Sequence, residues 1–150
     1  MGDLGCGCPG SMARVIERQE TTETSGIKAA SELRQWPVQL HLVPPTAPYF
    51  KDADILVCAD CVAFAMGDMH RRLLKGKALA IACPKLDDTG NYVEKMAQIF
   101  KAGEVRSVTV AIMEVPCCRG LDVMVREAVA RSGLDIPLET AVIGINGERR

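Results

Sequence analysis

ILVCADCVAFAMGDMHRRLLKGKALAIAC, residues 55–83, decides the fold. Its first five residues are a continuous apolar run of strand length, closed by Asp60 and rich in the β-branched and aliphatic types that a buried strand uses. Residues 62–75 then place apolar side chains at helical spacing, with Arg71, Arg72 and Lys75 toward the end. A helix is predicted there. Residues 78–83, ALAIAC, form a second strand-length apolar run. Strand, helix, strand within about thirty residues is a βαβ unit, and such a unit forces its two strands to lie parallel.

The pattern extends outward from this unit. NYVEKMAQIFKAG (91–103) and GLDVMVREAVARSG (120–133) read as helices, each ending in a glycine suited to a C-terminal cap. SVTVAIMEV (107–115) and TAVIGI (140–145) read as strands. Upstream, Pro37 opens VQLHLV (38–43), where Val38, Leu40 and Leu42 alternate with Gln39 and His41. That alternation predicts a half-buried strand, stopped by Pro44 and Pro45. The expectation is therefore an α/β domain over residues 27–150, a three-layer, mostly parallel sheet of about five strands of the flavodoxin or Rossmann kind. Residues 1–26 form a Cys/Gly-rich segment and linker ahead of it.

Bulk composition narrows the function. The chain has 150 residues and a net charge of -1, with the two signs interspersed. No basic stripe suits a nucleic-acid backbone, and no apolar run approaches a bilayer span. Neither nucleic acid nor membrane is an expected partner. The N-terminus lacks a basic stretch followed by an apolar one, so a cytoplasmic location is expected. No glycine-rich phosphate cradle follows a strand, and no nucleophile elbow is present.

Seven cysteines carry the chemistry. Cys61, Cys83 and the Cys117–Cys118 pair each follow an apolar strand run. In a parallel sheet those run ends share one edge, so thiols distant in sequence converge. Grouped thiols in a reducing compartment point to a soft metal or an iron–sulfur cluster rather than to disulfides. Helices starting after Cys61 and Cys118 are expected to lower thiol pKa values through their unpaired N–H groups. Cys58 lies inside its strand run and reads as a core residue. Cys6 and Cys8, in Cys-Gly-Cys-Pro-Gly, either complete the edge site or hold another. Asp60 is a candidate helix cap or a polar contact to the cofactor, and Lys85 a candidate counter-charge. His41 and His70 read as solvated side chains.

QWPVQLHLVPPTAPYF, ILVCADCVAFAMGDMH, ACPKLDD, YVEKMAQIF and MEVPCCRGL together resemble the C-terminal domain of ferredoxin-fused 4Fe-4S cluster-binding proteins of anaerobic bacteria and archaea. The resemblance covers nearly the whole chain, without the ferredoxin module. It implies recurring thiols at Cys61, Cys83, Cys117 and Cys118, with alanine common at the position of Cys58. The expected function is iron–sulfur cluster binding, of the 4Fe-4S type, in electron transfer or a ferredoxin-coupled redox role. The expected partner is a ferredoxin or other redox protein, and homo-oligomerisation is left open, as is whether the chain is an enzyme. Two alternatives stand beside this: a mononuclear zinc or iron thiolate protein, structural or hydrolytic, and a metal-free interaction domain.

Overall fold

The computed structural model describes residues 28–150. The cysteine-rich segment with Cys6 and Cys8 lies outside the described residues.

Four strands form one parallel sheet in the order β2-β1-β3-β4. They are β1 (Asp54–Ala59), β2 (Ala78–Ala82), β3 (Ser107–Met113) and β4 (Leu138–Ile143). The central pair, β1 and β3, is almost wholly buried, as its unbroken apolar runs demand. Cys58 stands opposite Ile81 on one side and Ala111 on the other. The helices are α1 (Val62–Ala65), α2 (Tyr92–Gly103) and α3 (Arg119–Ser132). The chain steps one way from β1 to β2, then back across to β3 and on to β4. Right-handed crossovers therefore put residues 61–77 on one face and α2 and α3 together on the other. The result is three layers.

Among the described residues the sheet has four strands, not five. Val38–Leu40 reach the outer edge of β2 but make only one bridge, Gln39 with Ile81. The Ile81 N–H donates to the Val38 carbonyl at 2.8 Å, and the Leu40 N–H to the Ile81 carbonyl at 2.8 Å. The chain then coils: the N–H groups of Leu42 and Val43 both turn back to the Gln39 carbonyl at 2.9 Å. Coiling rotates the apolar pattern, so Val43 is buried while Leu42 is 61% exposed. A period-2 pattern cut short between prolines does not compete with that local turn.

The long helix expected over residues 62–75 is broken. α1 stops at Ala65, Met66 turns extended, and a π-helical turn forms at His70–Leu74. The apolar positions Val62, Met66, Met69 and Leu73 are still buried. The break has a tertiary cause. Gly147, at φ +92°, packs so closely on α1 that a Cβ there would sit 2.3 Å from the Ala65 carbonyl oxygen. That oxygen is the one a continuous helix would offer to the Met69 N–H. Met69 donates to Met66 instead, at 3.2 Å.

α2 and α3 form as expected, but their ends differ. Gly133 caps α3 in the left-handed conformation at φ +73°. At the end of α2 it is Glu104 that takes the left-handed turn, at φ +47°. Gly103 is the last helical residue, and its missing side chain admits the Phe50 carbonyl, 2.6 Å from where a Cβ would lie. The Asp52 N–H closes that contact on the Gly103 carbonyl at 2.8 Å. Among the described residues, no helix is long and apolar enough to cross a membrane.

Candidate functional site

The strand order reverses direction between β1 and β3, and in open α/β sheets ligands bind outside the carboxyl ends at such a switch point. Cys61 lies two residues beyond β1, and Cys117 and Cys118 shortly beyond β3. Cys83 directly follows β2, the neighbour of β1. The strand-exit cysteines thus reach the position in this topology where a site is expected.

They are near enough to act on one another. Burial pushes the Cys61 thiol up, and the negative charges of Cys83, Asp60 and Cys117 push it further. Cys118 is also raised, first by burial and then by Cys117, Cys61 and Cys83, against an opposing backbone hydrogen bond at Met113. Cys61 is exposed, Cys83 and Cys117 half-buried, and Cys118 buried. These directions overturn the expectation of lowered thiol pKa values. α1 is a single turn with little dipole, neither helix start makes a side-chain cap bond, and among the described residues no cation is a cause of the shift at Cys61 or Cys118. The thiols face like-charged neighbours.

Cys58 stands apart. It is fully buried in β1, its thiol donates to the Ala59 carbonyl at 3.5 Å, and burial drives its pKa up to about 12. It behaves as a core thiol, as its place inside the apolar run predicts.

Asp60 does not cap α1. The cap position falls on Cys61, and Asp60 Oδ1 is buried with no hydrogen-bond partner among the described residues. Burial and the charge of Asp87 raise its carboxyl above the usual range. Its backbone N–H donates to the Ala82 carbonyl at 3.2 Å, tying the exits of β1 and β2 together. Lys85 is exposed on the loop after Cys83.

Two supports for this edge were not legible in the sequence. The first is Asp87. Its Oδ2 accepts both the Cys83 N–H at 3.0 Å and the Tyr92 hydroxyl at 2.6 Å. Asp87 also returns its own N–H to the Cys83 carbonyl at 3.0 Å. The Cys83 loop is therefore pinned to the start of α2. The second is a C-terminal clasp. Glu114, next after β3, accepts the Ile145 N–H at 3.2 Å and pairs with Arg150 at 3.0 Å. Arg150 also donates its backbone N–H to Val142 at 2.8 Å, while Gly147 rests on α1. The clasp thus joins the loop that bears Cys117 to the helix that follows Cys61. An Asp four residues after a Cys was the only sequence hint of the first support, and in the second the partners of Glu114 were not signalled.

Between α1 and the clasp lies an open cleft of about 490 Å³, walled by Phe64, Asp68, Asn146 and Glu148. Phe64 is 93% exposed. His70 Nδ1 accepts the Glu32 N–H at 3.0 Å, and His41 lies beside Asp87 and Asp88 at the far edge of β2. Among the described residues, no set of three or more His, Cys, Asp or Glu side chains is gathered into a metal-holding arrangement.

A parallel four-stranded sheet, wound on both faces and carrying polar and thiol groups at its switch point, defines a doubly wound α/β domain. The chain belongs to the Rossmann-like domain family, which it matches over residues 47–149. It is also 34% identical, over 116 residues, to an uncharacterized protein of Archaeoglobus fulgidus, a match spanning 77% of this chain and 81% of that one. No solved structure matches the chain.

Proposed function

We propose that the chain is an iron–sulfur cluster-binding protein whose cluster, of the 4Fe-4S type, is held by Cys61, Cys83, Cys117 and Cys118 at the carboxyl edge of the sheet. The observation that carries this reading is the convergence of these four thiols on one carboxyl edge of the sheet, where Cys61 feels the charges of Cys83 and Cys117, and Cys118 feels those of the other three. Cys61 and Cys118 each meet further negative charge there, from Asp60 or the neighbouring thiols. A positively charged metal centre offsets that charge, and an all-sulfur donor set suits iron–sulfur chemistry. The same residues carry the resemblance to the C-terminal domain of ferredoxin-fused 4Fe-4S proteins. Closing four sulfurs on a cluster requires the loops after β1, β2 and β3 to draw together. When bound, a cluster supplies one-electron chemistry, and the protein's part is to hold it and to set its solvent exposure. The role is electron transfer with a ferredoxin or other redox protein, in the cytoplasm.

Anaerobic purification followed by iron, sulfide and zinc analysis tests the proposal. Iron with stoichiometric sulfide and broad visible absorbance is expected. Zinc without sulfide replaces the cluster with a mononuclear thiolate site, and no metal at all leaves an interaction domain; either result overturns the reading.

A further inference from the structure

The end of the sheet opposite the cysteines carries a separate cavity of about 250 Å³. Its walls include Ala53, just before β1, and Gly76, Lys77 and Ala78, at the start of β2. Arg34, Gln35 and Tyr49 complete it, the Gln35 amide being already bonded to the backbone of Leu79. Two of these residues are cationic, and no Asp or Glu is among the described walls. Arg34 makes no ion pair among the described residues, whereas the nearby carboxylate of Asp54 is already held by Arg106 at 2.8 Å and Ser107 at 2.7 Å. Among the described residues, Lys77 reaches only the Leu73 carbonyl, at 3.0 Å.

Tyr49 adds an independent observation. Its hydroxyl is buried and has no hydrogen-bond partner among the described residues. A buried hydroxyl without a partner is costly, and such groups in folded proteins usually have a protein, water or ligand partner. Burial also raises its pKa, so the group remains a proton donor at neutral pH. Guanidinium, ammonium and phenol are all donors, and together they suit an acceptor-only, negatively charged ligand.

We propose that this cavity, walled by Arg34, Tyr49 and Lys77 at the amino edge of the sheet, binds a small oxyanion of the phosphate class. It is distinct from the thiol edge and does not depend on metal binding there. A cavity of this size admits a phosphate or the phosphate end of a small monoester.

Thermal denaturation of the full chain, with inorganic phosphate titrated against sodium chloride at equal ionic strength, tests it. Phosphate raises the melting temperature saturably above the chloride control, because a ligand that binds only the folded state stabilises it by mass action. The double variant Arg34→Ala/Lys77→Ala loses that response at least tenfold in affinity. Tyr49→Phe melts no lower than the parent without phosphate, since it deletes an unsatisfied group, yet binds phosphate severalfold more weakly. Equal melting in phosphate and chloride overturns the proposal. So does an undiminished phosphate response in the double variant, or a Tyr49→Phe affinity equal to the parent's.

Discussion

Asp87 and Cys83 exchange hydrogen bonds in both directions: the Cys83 N–H reaches Asp87 Oδ2 at 3.0 Å, and the Asp87 N–H reaches the Cys83 carbonyl at 3.0 Å. The same oxygen takes the hydroxyl of Tyr92, a residue only 1% exposed. Cys83 therefore presents its thiol from a closed loop. Asp87→Ala strands a loop N–H and a buried hydroxyl together. It should destabilise the fold by about 2–4 kcal/mol, whereas Tyr92→Phe, which removes only one bond, should cost about 1 kcal/mol. Urea unfolding of the two variants checks the ratio.

Cys58 should be chemically silent. Burial holds its pKa near 12, above the ordinary 9.0, so the thiolate needed for alkylation is absent at pH 8. Native protein treated with iodoacetamide should label exposed Cys61 first and Cys58 only after unfolding. The linkage runs one way. The raised pKa means the folded state keeps a proton that the unfolded state releases. The contribution is complete below pH 9.0 and is lost as pH rises through about 12. Cys58→Val should flatten the alkaline limb of a stability–pH curve.

The ligand assignment predicts an ordered mutant series. Cys61→Ala, Cys83→Ala and Cys117→Ala should each lose the bound metal, while Cys58→Ala should retain it. Metal and sulfide analysis of each purified variant reads this directly. Retention in all three strand-exit variants would refute the assignment.

The clasp is tested at Gly147. A Cβ there meets the Ala65 carbonyl oxygen at 2.3 Å, and the backbone sits at φ +92°. Gly147→Ala should therefore cost about 2–4 kcal/mol through steric clash and strained backbone together. Glu114→Gln keeps the acceptor for the Ile145 N–H but gives up the charge facing Arg150, and should cost no more than about 1 kcal/mol. Chemical denaturation distinguishes the two.

Much of the architecture was legible in the sequence because it rests on local pattern. The unbroken apolar runs of β1, β2 and β3 mark buried parallel strands, the amphipathic spacing of residues 91–103 and 120–133 marks α2 and α3, and Gly133 marks a helix end. The same pattern put Cys58 in the core and Cys61, Cys83, Cys117 and Cys118 near strand ends. These readings need only a side chain's own neighbours in sequence and the period of the element.

Tertiary structure alone decided the rest. The alternation of VQLHLV could not reveal that the chain would coil after Leu40, since a single edge bridge to Ile81 competes poorly with a local turn. Helical spacing across residues 62–75 could not reveal that Gly147, more than seventy residues on, would take the space beside the Ala65 carbonyl. The thiol pKa values of Cys61 and Cys118 turned first on burial and then on the charges that meet at the edge, Asp60 and the other cysteines. Apolar periodicity is a property of neighbouring residues and can be read along the chain. Close backbone approach and electrostatic environment belong to residues that only folding brings together.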